Sequence, residues 1–168
     1  PKTAWPPTSM LLFSGIGFAQ ESNNGKQLWA KSFLNEKAPE LTVETWISKK
    51  PDTEGKFVII DFWATWCGPC RKAIPELNEI AKEFSKDVVV IGISDEPVEK
   101  IKAMKEPVIE YYYGVDTKKT MDKILEIKGI PHVIIIDPKG IVRWEGFPLL
   151  ENHKLTPEVV KNLIEKYK

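Results

Sequence analysis

The sequence predicts an α/β domain built on a mixed central sheet, and three observations carry that expectation. Two short runs rich in β-branched and apolar residues, Phe57 to Trp63 and Val88 to Ile93, have the texture of strands buried on both faces. Between them, Ile74, Leu77, Ile80, Ala81 and Phe84 recur at helical spacing. Farther on, His132 to Ile136 and Ile141 to Glu145 flank Asp137-Pro138-Lys139-Gly140, the pattern of a hairpin. Strands that alternate with helices and then close in a hairpin call for a sheet with both parallel and antiparallel neighbours.

Each element follows in order along the chain. Met10 to Ala19 is the most hydrophobic stretch before residue 57, too short to span a bilayer and ending in small residues. It reads as the core of a secretory signal or as a hydrophobic N-terminal arm, residues 1–19. Residues 20–37 are polar, with an Asn23-Asn24-Gly25 turn, and read as a linker with a short helix around Leu28 to Leu34. The main domain is expected over 38–168. Its first strand, at an edge, is Leu41 to Ile47, and the Pro51 to Gly55 turn leads into the strand at Phe57. Gly68 to Phe84 is the first long helix. Pro97 to Met104 reads as a helix, Val108 to Tyr113 as extended chain, and Thr117 to Ile127 as a helix with Met121, Ile124 and Leu125 on one face. Thr156-Pro157-Glu158 opens the last helix, with Thr as cap and Pro in the first turn.

Composition narrows the function. A chain of 168 residues fits one domain plus an extension. At that size roughly 68–70% of the unfolded surface is buried on folding, enough for a core without staples. Lys+Arg and Asp+Glu both number 24, so no net field gathers phosphate, and a nucleic-acid partner is not expected. Two cysteines exclude a disulfide-rich scaffold. Function must therefore sit in a local site.

Cys67-Gly68-Pro69-Cys70 is that site, placed where a buried strand gives way to a helix. Its two-residue spacing lets the sulfurs close a disulfide across the first helical turn. Cys67 falls at the helix N-terminus, where unpaired N–H groups and the macrodipole favour an anion, so its thiol should titrate below the usual ~8.5. Cys70, one turn in, should be the shielded, resolving thiol, and Pro69 suits a first turn because its missing N–H costs nothing there. A zinc site would need four ligands, consuming both cysteines and both histidines, His132 and His153, and leaving the strand–helix context unexplained. Asp61 interrupts an otherwise apolar strand six residues before Cys67, and a carboxylate there must find a partner or titrate high. Lys56 and Lys82 are the candidate partners.

The run Asp61-Phe62-Trp63-Ala64-Thr65-Trp66-Cys67-Gly68-Pro69-Cys70-Arg71-Lys72 resembles the active-site segment of thioredoxins, and Gly129-Ile130-Pro131 resembles their cis-proline loop. The likeness runs from about residue 38 to 168. The extra strand before Phe57 and the helix–strand insertion near 97–113 are similar to the extracytoplasmic thioredoxin-like branch of TlpA/ResA type. The resemblance implies a thioredoxin fold and thiol–disulfide exchange with no bound cofactor and no metal. It implies that Cys67 attacks a partner disulfide and that Cys70 resolves the mixed disulfide. Asp61 would accept the Cys70 proton, and Trp66, Gly68, Pro69, Ile130 and a cis Pro131 would form the substrate platform. The Gly-Pro dipeptide and Asp61 resemble the reducing members; the alternatives are an oxidant or isomerase, a thiol peroxidase, or a non-catalytic binding module. Implied partners are disulfide-containing proteins, such as apocytochrome or secreted proteins, and an upstream dithiol electron donor, with the protein monomeric and periplasmic or otherwise extracytoplasmic, a cytoplasmic address being the alternative. His132 is a candidate to modulate the thiolate, Trp63 a core residue, Tyr111-Tyr112-Tyr113 a strand with a possible binding face, and Lys100, Lys102 and Lys105 a solvated face.

Overall fold

The computed structural model describes residues 28–168, and the Met10–Ala19 run lies outside them. The order of elements is β1 (Thr45–Trp46), β2 (Phe57–Trp63), α1 (Gly68–Glu83), β3 (Val88–Ser94), α2 (Val98–Ala103), β4 (Tyr112–Val115), α3 (Thr120–Leu125), β5 (His132–Ile136), β6 (Val142–Gly146) and α4 (Pro157–Tyr167). A single sheet runs β1-β4-β3-β2-β5-β6. Strand β2 lies at its centre, parallel to β3 and antiparallel to β5, and β4 extends the parallel part. This is a mixed α/β sheet, as the sequence predicts.

Burial explains why the central strands lack polar alternation. All seven residues of β2 and all seven of β3 are buried, because helices cover both faces. On one face Phe57, Ile59 and Trp63 meet Ile74, Leu77 and Ile80 of α1 and Val160 of α4. On the other, Val58, Ile60 and Phe62 meet Met121 and Leu125 of α3.

The hairpin and last helix form as the local signals dictate. The β5 bounds coincide with the expected run, Asp137 Oδ1 accepts from the Lys139 and Ile141 N–H groups, and Gly140 takes φ +84°, which a side chain would resist. Thr156 caps α4 by accepting from the Val159 N–H.

Four expectations change. No helix forms over 28–34; the segment bends at residues 29–30 and turns at 34–35. Its backbone bonds go to distant elements instead, Lys31 N–H to the Leu125 carbonyl and Asn35 N–H to the Val142 carbonyl, both short, and Trp29 packs edge-on against Phe147. Buried Glu145 also accepts from the Phe33 N–H and the Ser32 hydroxyl. Long-range bonds thus override a weak local preference. The edge strand shrinks from 41–47 to Thr45–Trp46, and the 108–113 extended run forms strand only from Tyr112, continuing to Val115. Helix α3 is shorter than 117–127 because Lys119 and Glu126, both left-handed, bound it.

Candidate active site

The chain leaves β2 at Trp63, turns through Ala64-Thr65-Trp66 and enters α1 with Cys67 as its N-cap. Cys67 and Cys70 form a disulfide, with Cα atoms 5.2 Å apart, and the Cys70 N–H points at the Cys67 sulfur at 3.2 Å. An N–H aimed at that sulfur, added to the helix N-terminus, stabilises a thiolate on Cys67 once the bond is reduced. Cys70 is fully buried, whereas Cys67 keeps 5% of its surface exposed, so the two sulfurs differ in access as their places in the helix dictate.

Several of the residues singled out from the sequence converge here. The carbonyl of Ile130 lies 3.7 Å from Cys67 Sγ, so the turn before β5 lies against the disulfide, and the Ile130–Pro131 peptide is cis. Trp66 is 74% exposed beside this loop, while Trp63 is buried. Gly68 opens the helix with nothing near the position a Cβ would occupy, and Pro69 sits in its first turn. Behind Trp66, a groove lined by Ile130, Asp95, Asp122 and Lys119 carries mixed charge, with Lys119 paired to Asp95 at 3.0 Å. Burial raises Asp122, with Lys119 pulling against it. On the opposite side, Arg71 donates to the Glu106 carbonyl at 2.7 Å, and Lys100 and Lys105 line the same surface.

Asp61 sits in the middle of β2, fully buried, on the face that carries Ile59 and Trp63. Burial pushes its carboxyl up to about 7. Neither expected lysine reaches it. Lys56 donates to the Lys86 carbonyl, Lys82 lies on an exposed turn of α1, and the Asp61 oxygens have no hydrogen-bond partner. Asp61 therefore keeps its acceptor capacity instead of spending it in an ion pair.

Two other candidates fall elsewhere. His132 is buried and stacks with Phe62 on the α3 side of the sheet, the face opposite Asp61. Tyr111 is buried and Tyr112 and Tyr113 are half-buried against the two cores, and all three line a cleft whose walls do not include the cysteines. Lys100, Lys102 and Lys105 are exposed, as a solvated face should be.

One residue at the site was not visible in the sequence. Glu96, just past the end of β3, accepts from the Thr65 N–H at 2.7 Å, the Thr65 hydroxyl at 2.6 Å and the Ser94 hydroxyl at 3.0 Å. It anchors the loop that presents Trp66 and Cys67. The available signal was its position, since loops at the C-terminal ends of neighbouring parallel strands converge.

Comparison with known proteins agrees with this geometry. Residues 34–145 match the model of the AhpC/TSA family. The chain is 27% identical to the thioredoxin-like protein YneN of Bacillus subtilis, over 64% of this chain and 68% of that protein. It is 26% identical to the thiol-disulfide oxidoreductase ResA of Bacillus subtilis, over 62% of each, so it spans less than two thirds of ResA. Among solved structures, the thioredoxin domain of a thiol-disulfide oxidoreductase from Bacteroides vulgatus superposes with a TM-score of 0.62 at 26% identity, covering 80% of this chain and 96% of that one.

Proposed function

The chain belongs to the AhpC/TSA family, its Cys67–Cys70 pair is a thiol–disulfide site, and from that premise we propose that it reduces disulfides in partner polypeptides. The observation that carries the reading is the unequal pair: Cys67 at a helix N-cap with an N–H aimed at its sulfur, and Cys70 fully buried one turn on. The names of YneN and ResA, a thioredoxin-like protein and a thiol-disulfide oxidoreductase, support it.

The reaction follows from these positions. In the reduced protein the Cys67 thiolate attacks one sulfur of a partner disulfide, forming a mixed disulfide and releasing the partner's other sulfur as a thiolate that takes up a proton. Cys70 then gives its proton to Asp61 and attacks Cys67 Sγ. The Cys67–partner bond breaks, the partner leaves fully reduced, and the Cys67–Cys70 disulfide remains. An upstream dithiol returns the pair to the reduced form. An extended partner segment would lie along the Ile130 backbone beside cis Pro131, in the manner of an added strand, with Trp66, Gly68 and Pro69 completing the contact. The chemistry needs no cofactor. An extracytoplasmic address follows from the hydrophobic Met10–Ala19 run.

The test is the equilibrium potential of the Cys67–Cys70 pair in glutathione or dithiothreitol buffers, read by acid quench and thiol alkylation. A value below about −230 mV, near thioredoxin, is expected for a reductant. A value of about −120 to −180 mV would make the protein an oxidant or isomerase. Failure to form an intramolecular disulfide would remove the exchange reading altogether.

A further inference from the structure

Asp61 has Gly92 as its cross-strand neighbour on β3, so no side chain covers the carboxylate from that strand. Two aromatic groups use the room instead. A Cβ at Gly92 would stand 3.1 Å from Trp63 Nε1 and 3.3 Å from Tyr111 Cε2. In this one layer lie four buried polar atoms with no hydrogen-bond partner: both Asp61 oxygens, Trp63 Nε1 and Tyr111 Oη. They are chemically complementary, because a carboxylate only accepts, an indole only donates and a phenol donates readily. Buried polar groups are nearly always paired in folded proteins, so four unpaired ones sharing a pocket point to one another.

Tyr111 differs from Trp63 in one respect. It is only 6% exposed, yet it lines a cleft of about 580 Å³ that it shares with the exposed lysines Lys49 and Lys82. It therefore touches the buried layer on one side and a solvent-reaching space on the other. Trp63 Nε1 is the other donor of this layer and is itself buried, and the remaining elements around Asp61 bring groups that are apolar or already bonded. Helix α1 brings Cys70, β5 brings Val133, α4 brings Val160, and Ser94 and Glu96 are bonded to each other. Tyr113 of β4 is half-buried, and Lys56 is turned away to the Lys86 carbonyl.

We propose that Tyr111 is a positioning residue for the resolving step, its phenol O–H donating to the ionised Asp61 carboxylate and so setting the pH at which Asp61 can take the Cys70 proton. The inference rests on the reading of Asp61 as that acceptor. In the step itself, the Cys70 S–H proton passes to Asp61, the Cys70 electron pair forms the bond to Cys67 Sγ, and the partner departs as a thiolate that is protonated by water. Tyr111 gains and loses nothing. It stabilises the form of Asp61 that can accept.

The experiment uses the reduced protein with 5,5′-dithiobis(2-nitrobenzoate), which makes a mixed disulfide at Cys67 and then releases a second thionitrobenzoate when Cys70 resolves it. The rate of that second release is followed by stopped flow against pH for the wild type, Tyr111→Phe, Asp61→Asn and the double variant. Removing a donor from a carboxylate raises its pKa. The inflection should therefore move to higher pH in Tyr111→Phe, with the neutral-pH rate about two- to fivefold lower for a shift of half to one unit. Asp61→Asn should lose the inflection, and Tyr111→Phe should change nothing further in that background. Global replacement of tyrosine by 3-fluorotyrosine, which keeps the packing and strengthens the donor, should move the inflection the opposite way. A Tyr111→Phe profile that overlays the wild type, while Asp61→Asn loses its inflection, overturns the role of Tyr111 and leaves Asp61 standing. An inflection that survives in Asp61→Asn overturns the Asp61 reading and this one with it.

Discussion

Glu96 holds Thr65 by both its backbone N–H and its hydroxyl, 31 residues apart in sequence. The contact joins the end of β3 to the loop that carries the reactive cysteine. A carboxylate that is 8% exposed and accepts three bonds is satisfied where it stands, so removing it leaves donors stranded. Glu96→Ala should lower stability by about 2–4 kcal/mol. It should also slow attack by Cys67, because the loop loses its anchor. Urea unfolding of the oxidised protein and the rate of Cys67 alkylation in the reduced one check the two effects; unchanged values in both would show the bonds to be incidental.

Asp61 predicts an inverted pH dependence of stability. Its pKa is raised from 3.8 to about 7 by burial, so between those values the folded chain holds a proton that the unfolded chain has released. Stability from this group is therefore full below pH ~4 and is lost as pH rises through ~7. Asp61→Asn removes the loss. It should be more stable than the wild type at pH 8, by up to about 4 kcal/mol at about 1.4 kcal/mol per unit, with the gap closing toward pH 4. Denaturant midpoints at several pH values measure it, and a gap that does not vary with pH would contradict the assignment.

Gly92 leaves little room for a side chain. A Cβ there meets Trp63 Nε1 at 3.1 Å and Tyr111 Cε2 at 3.3 Å, and both rings are held in a packed core. Gly92→Ala should cost about 1–3 kcal/mol through overpacking. Gly68→Ala, where nothing lies within 4 Å of the new Cβ, is the matched control and should stay close to the wild type in stability. Thermal unfolding of the two variants side by side decides it.

Trp66 separates contact with a partner from folding. At 74% exposure it contributes little to the core. Trp66→Ala should change stability by no more than about 0.5 kcal/mol, the usual range for a surface substitution. Reduction of a protein disulfide should slow several-fold, while reduction of a small disulfide should be less affected. Equal rates on both substrates would remove Trp66 from the contact surface.

Cys70→Ser should trap mixed disulfides between Cys67 and partner proteins, which non-reducing electrophoresis resolves as bands that collapse on reduction. Cys67→Ser should trap none, because Cys70 is fully buried. Equal trapping by the two variants would reverse the assigned roles.

What was legible in the sequence was what local chemistry decides. The β5–β6 turn is written in Asp137 and Gly140, the α4 cap in Thr156 and Pro157, and the redox pair in a spacing that itself defines the disulfide. The residues that escaped depend on partners far along the chain. Residues 28–34 look helical alone but are held out of a helix by bonds to Leu125 and β6. Glu96 has no periodicity to betray it. Tyr111 reads as one of three strand aromatics, and only the register that sets Gly92 against Asp61 shows why it differs from Tyr112 and Tyr113.

The N-terminal segment has a consequence for how the molecule meets other chains. Asn35 and Glu36 bond to both backbone groups of Val142, and Ala38 donates to the Gly140 carbonyl, so part of the outer rim of β6 is already occupied. The opposite rim is β1, two residues long. Exposed rims invite unrelated polypeptides to zip on indiscriminately. With one rim partly sealed from within and the other cut short, a foreign extended segment has little backbone to hold at either margin of the sheet.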